Sequence, residues 1–367
     1  MSELVELTPR QLAWRRFRRH RLGFASAMFL AGIYTLAVFC EFITPYATDT
    51  RNVSAINAPP MSIHFFDAEG EFHLRPFVYG WNRRINPDTW AREYSKNTDE
   101  RFPIYFFAEG ESYELWGLIP MNTHIFTTSG SDTYIHLFGT DQLGRDLFSR
   151  VFYGARISLS IGLVGVGLTL FFGVLIGGLS GYLGGWTDLA VQRVIEMLQS
   201  LPTLPLWMAL SAALPPAWSP QRVYFGITII LSLFAWTGLA RQVRGRFLAL
   251  REEDFVIAAR LLGAQKMRVI FRHMLPSFTS HTITTATLAI PGMILGETAL
   301  SFLGIGLRPP VVSWGVLLQQ AQNYQVIVMT PWLLLPGLFV VLTVMAFNLM
   351  GDGLRDAADP YSTQSHD

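Results

Sequence analysis

Glu252–Pro276 reads EEDFVIAARLLGAQKMRVIFRHMLP. It is a basic, half-polar segment set between two runs that suit a lipid bilayer. From Asp254, the residues Phe255, Ala258, Ala259 and Leu262 recur at i, i+3, i+4 and i+7, which predicts a short helix with one apolar face. Gly263 suits the end of that helix. A second helix follows, with Met267, Ile270, Phe271 and Met274 on one face and Arg268 and Arg272 flanking it. Pro276 is expected to stop this helix and start the next apolar run. The segment is thus a peg of two short helices joined at a glycine. Three destinations are open to it: the membrane surface, its own helix bundle, or a groove on another protein. In a groove, the paired alanines would let backbones approach closely. Phe255 or Leu262 buried there would each contribute roughly 1.5–3 kcal/mol.

The rest of the chain explains why such a peg needs a destination. Of 367 residues, 50% are hydrophobic and only 15% charged, against about 25% charged in soluble domains. The single cysteine, Cys40, excludes an intrachain disulfide. The net charge of +1 offers no basic balance for nucleic acid. Six apolar runs are long enough to cross a bilayer, which takes roughly 20 residues each: 23–42, 157–182, 194–214, 224–240, 278–303 and 331–350. The first is too long for a cleaved leader, whose apolar core spans about 7–15 residues. In hydrocarbon these runs must be helices.

Charge sets their direction. Six arginines precede Gly23, and the stretch 241–276 holds eight basic residues against three acidic, while 44–156 holds 14 acidic against 10 basic. With six alternating helices, both basic segments and the C-terminus fall on the cytoplasmic side. The expected organisation is a basic segment (1–22), a first span (23–43), an external insert (44–137), a five-helix core (138–352) carrying the peg (252–276), and a cytoplasmic tail (353–367). Within the insert, HFFDAEGEF at His64–Phe72 and YFFAEGESY at Tyr105–Tyr113 each run aromatics into a Glu-Gly pair, which predicts two β-hairpins in a small β-rich cap. Downstream, Thr140 or Asp141 is placed to cap an interfacial helix bearing Phe148, Val151 and Phe152.

Catalytic patterns are missing. There is no phosphate-binding G-x-x-x-x-G-K-[ST] loop, no H-E-x-x-H and no G-x-S-x-G. GVLIGGLSGYLGG (Gly173–Gly185) lies in a span, where small residues serve close helix packing. Glu297 is the one good ionisable candidate inside a span. It either faces a translocation path or bonds to a neighbouring helix.

The peg also resembles the EAA signature of permease subunits in binding-protein-dependent ABC importers. Ala258–Ala259, Gly263 and Leu275–Pro276 fall in that pattern, and Ile257 stands where the signature has glutamate. Four further blocks are similar to dipeptide and oligopeptide permeases of the C-subunit type: Phe138–Leu159, Gly181–Leu206, Glu297–Gly315 and Pro336–Pro360. The resemblance implies an all-α, MetI-like fold in which one extra N-terminal span precedes the five-helix core. It implies a bacterial inner-membrane permease importing peptides, with Phe255, Ala258, Ala259, Leu262 and Gly263 coupling it to an ATPase. The implied partners are a homologous second permease, two ATP-binding subunits and a periplasmic or lipid-anchored substrate-binding protein. ATP and magnesium would be held by those subunits, so this chain would be no enzyme and carry no cofactor. The same family branch implies nickel, opines or oligosaccharides as other cargoes. A self-sufficient secondary carrier is the reading from another class.

Overall fold

The computed structural model describes residues 9–85, 87, 92–128, 130, 133–277 and 279–358. The tail expected at 353–367 lies outside the described residues from 359 onward. The chain is predominantly helical, and it divides into two compact units.

The first unit comprises 1–31, 159–300 and 341–367. Among the described residues, five helical segments are long and apolar enough to cross a membrane: Arg21–Val38, Leu147–Leu183, Pro220–Leu250, Thr282–Phe302 and Pro331–Ala358. The expected span at 194–214 is instead two helices, Gly185–Gln199 and Thr203–Ala212. Proline is the cause: the residue before a proline is pushed out of the α region, and Pro202 itself is extended at the start of the second helix. We label the helices used below α1 (Pro9–Arg19), α2 (Arg21–Val38), α3 (Leu147–Leu183), α4 (Gly185–Gln199), α5 (Thr203–Ala212) and α6 (Pro220–Leu250).

Gly173, Gly177 and Gly181 recur every fourth residue on α3, so they share one face. A methyl group at Gly177 would lie 2.8 Å from the Cα of Ala240, and one at Gly181 would lie 2.7 Å from the Arg244 carbonyl oxygen. The two helices therefore touch backbone to backbone, as the small residues of the stripe foreshadow. In the same unit, His20 Nε2 lies 3.6 Å from Asp356 Oδ2, and Gly23 leaves no room for a side chain against Gly353.

The second unit comprises 32–158 and 301–340. Its four-stranded antiparallel sheet runs β1 (His64–Phe66), β2 (Phe72–Ile85), β3 (Arg92–Leu115) and β4 (Ile119–Thr128), in sequence order. Aromatic and β-branched residues suit these strands. Val78, Phe102 and Ile104 turn inward onto Met61 and Ile135 to form its core. His64–Phe72 is a hairpin, closed at Asp67–Glu71. Tyr105–Tyr113 is not one. It lies inside β3, and the register shifts between Glu109 and Tyr113. A side chain at Gly110 would meet the His124 ring at 2.7 Å, so this glycine serves a close approach instead of a turn. The turn comes later, at Trp116 and Gly117, both with positive φ.

The α3 helix begins earlier than the apolar run, at Leu147. Its cap is neither Thr140 nor Asp141 but Asp146, whose carboxylate accepts hydrogen bonds from the Ser149 amide and hydroxyl at 2.7 Å and pairs with His136 at 2.9 Å. Thr140 accepts from the Ala58 amide, and Asp141 pairs with Arg145 and Arg150. Thr140 is committed to a partner 82 residues away, whereas Asp141 closes its own turn on the Leu143 and Arg145 amides and reaches on to Arg150. Charged residues are tolerated at this end of the helix because each is matched. Arg156 makes two 2.5 Å bonds to the Glu41 carboxylate and also donates to the carbonyls of Ala37 and Val38.

Candidate functional site

The peg is built on the end of α6. Helix α7 (Asp254–Leu261) follows it after a short turn, with Asp254 in its first turn and Arg260 in its last, both favourable to the helix dipole. Its end is a complete left-handed cap. The Gly263 amide donates to the Arg260 carbonyl at 3.0 Å, the Ala264 amide donates to the Ala259 carbonyl at 3.1 Å, and Gly263 takes φ +79°. Nothing crowds Gly263, so the glycine is required by backbone conformation alone.

The second half of the peg departs from the expected regular helix. Lys266–Arg268 is α-helical, Val269–Met274 opens into a wide π-helical turn, and Leu275–Ser277 is α-helical again. Pro276 does not stop the run. The wide turn before it relieves the clash its ring would otherwise make with the preceding turn. Val269, Ile270 and Met274 point inward, while Met267 and Phe271 are exposed.

The expected single stripe also divides. Val256 and Ala259 are buried with Val269, Ile270 and Met274 against Leu239, Val243 and Phe247 of α6. Phe255, Ala258 and Leu262 face away from that core. At roughly 100° per residue, Ala259 sits at the edge of the Phe255–Ala258–Leu262 arc, on the side toward Val256, and packing draws it in. Leu261 and Leu262 are 83% and 88% exposed. Leu261 was outside the predicted stripe, and Ile257 is exposed as well. The result is a rigid base with an uncovered apolar outer face. Glu297 belongs to a different place: it is fully buried in the first unit, next to Gly296, which packs closely on Trp207 and Leu231.

Sequence reading missed the brace under the peg. Asp188 of α4 takes two 2.5 Å hydrogen bonds from Arg244 of α6, through Nε and Nη2, and a third from the Ser180 hydroxyl at 2.6 Å. The only signal was a lone acid shortly after the Gly184–Gly185 turn; its partner lies 56 residues on. Asp188→Asn is expected to cost about 1.5–3 kcal/mol, the worth of hydrogen bonds to a charged group. Thermal unfolding of the detergent-solubilised protein measures this.

Residues 173–362 match the family model described as binding-protein-dependent transport system inner membrane component, and residues 8–60 match the N-terminal TM domain of oligopeptide transport permease C. The chain is 30% identical over 352 residues to a dipeptide transport system permease protein of Bacillus subtilis, covering 95% of this chain and 85% of the relative. It is 41% identical over 226 residues to an oligopeptide transport system permease protein of Haemophilus influenzae, covering 61% of this chain and 70% of that relative. In a solved structure of the MetNI methionine ABC transporter, a chain aligns with 57% of this one and 97% of its own length, at 19% identity and a TM-score of 0.42.

Proposed function

Since this chain belongs to the binding-protein-dependent transport system inner membrane components, we propose that it is the permease subunit of a peptide importer and forms half of the translocation path. The core is MetI-like, with one extra N-terminal span. Counting the proline-broken α4–α5 pair as one crossing gives six. Both termini and the peg then lie in the cytoplasm, and the sheet lies outside. The basic 241–276 segment and the His20–Asp356 contact support that orientation.

One observation carries the reading: an apolar face left open on an otherwise well-packed peg. Phe255, Ala258, Leu261 and Leu262 offer it to a cytosolic ATP-binding subunit, and each large side chain buried there contributes roughly 1.5–3 kcal/mol. Ala259 and Gly263 act from behind, as base and joint. The rest of the assembly is a homologous second permease, a second ATP-binding subunit and an external substrate-binding protein. ATP and magnesium sit on the ATP-binding subunits, and this chain carries neither cofactor nor catalysis. When ATP draws the two ATP-binding subunits together, each peg moves with its subunit. The buried Val256–Met274 core makes the peg one body with α6, so the movement reaches the spanning helices. Glu297, fully buried near the C-terminal end of its helix, holds a neighbouring helix or the path's gate.

Reconstitution tests this. Proteoliposomes holding both permeases, both ATP-binding subunits and the binding protein are expected to take up labelled oligopeptide only with ATP inside the cytosolic compartment. Uptake by this chain alone would refute the assignment and favour a secondary carrier.

A further inference from the structure

We propose that the turn between β3 and β4, at Trp116–Ile119, is a membrane-interface anchor, seated in the headgroup boundary of the leaflet where α2 ends. The occupant of this surface is lipid. Four observations within the second unit carry the assignment. The Trp116 indole N–H donates to the carbonyl oxygen of Val38, the last residue of the first spanning helix, at 2.8 Å. Its ring lies 5.6 Å from Phe39, and the Phe107 ring lies 6.3 Å from Phe42. The hairpin tip therefore sits at the depth where the span leaves hydrocarbon. Val38 and Phe39 are themselves exposed, and the apolar surface runs from them without a break onto Trp116.

The tip also has the wrong chemistry for water. Trp116 is 47% and Leu118 78% exposed, with Ile119 open beside them and Phe107 exposed as well. No Asp, Glu, Lys or Arg occurs between Glu114 and Asp132, and around Gly117 the tip carries Trp, Leu and Ile where a turn in water usually carries Asn, Asp or Ser. Trp116 is held at φ +57°, a conformation costly to a bulky side chain and kept only where the surroundings impose it. A tryptophan with one face apolar and its N–H satisfied at the end of a span is the side chain that interfaces favour. Sheet and first span would thus be pinned to one membrane plane.

Cys40 is the only cysteine of this chain and is fully buried, so Leu118→Cys, labelled before assembly, accepts a fluorophore uniquely within it, at a site too exposed to disturb folding. The assembled importer is placed in nanodiscs of phosphatidylethanolamine and phosphatidylglycerol, part of the lipid carrying a nitroxide at the top of the acyl chain. The expected result is loss of most of the fluorescence to the nitroxide lipid and little loss to aqueous iodide. A label at Glu69→Cys, in the β1–β2 turn, should show the reverse. Iodide quenching at 118 as strong as at 69 overturns the proposal, because the tip is then in water. Quenching by neither also overturns it, because a protein partner then covers the tip.

Discussion

Ala258→Arg in the assembled transporter is expected to abolish substrate-stimulated ATP hydrolysis while leaving membrane insertion and fold intact. Ala258 lies on the open face of α7, so an arginine there extends into solvent in the isolated chain at little cost. In a docking groove lined for Phe255 and Leu262, the same guanidinium would be buried without a partner. An uncompensated buried charge costs about 3–5 kcal/mol, which is roughly a hundredfold or more in occupancy of the docked state. Ala259→Arg supplies the contrast one residue away. Ala259 is packed against the α6 core, so this change is expected to reduce the yield and thermal stability of the permease itself. Stimulated hydrolysis at the normal rate by the Ala258→Arg complex would remove the peg from the coupling path.

Gly177→Ala is expected to cost substantial stability through a single added methyl group. The added carbon would press on the Ala240 backbone, which cannot rotate away as a side chain can. Overpacking of this kind costs about 1–3 kcal/mol and occasionally more, and Gly177→Leu is expected to prevent recovery of folded protein altogether. Gly167, on the same helix, has nothing within 4 Å of the corresponding position. Gly167→Ala should therefore be neutral or stabilising by up to about 1 kcal/mol, the helix-propensity difference. Thermal unfolding midpoints of the two purified variants in one detergent decide the matter. Equal midpoints would mean that α3 and α6 do not make the close contact.

Much of the molecule was legible because it is written locally. Hydropathy marked the long spans, since crossing a bilayer depends on an unbroken apolar stretch and on nothing distant. The peg, its Gly263 joint and the small-residue stripe on α3 followed from spacing along one helix. Two misreadings came where a distant segment competes for one residue: Gly110 looked like a turn, yet it makes room for His124, and Thr140 looked like a cap until Ala58 claimed it.

The sequence by itself determined that this is a polytopic helical membrane protein with a basic, glycine-jointed peg, because periodicity and hydropathy act over one or two helical turns. Tertiary structure alone decided which side of that peg is free. Ala258 and Ala259 are chemically identical neighbours, and only the packing of Val256, Val269 and Met274 on α6 turns one inward and leaves the other open. The Asp188–Arg244 brace was decided the same way: a hydrogen bond across 56 residues needs α4 and α6 side by side, which no local pattern specifies.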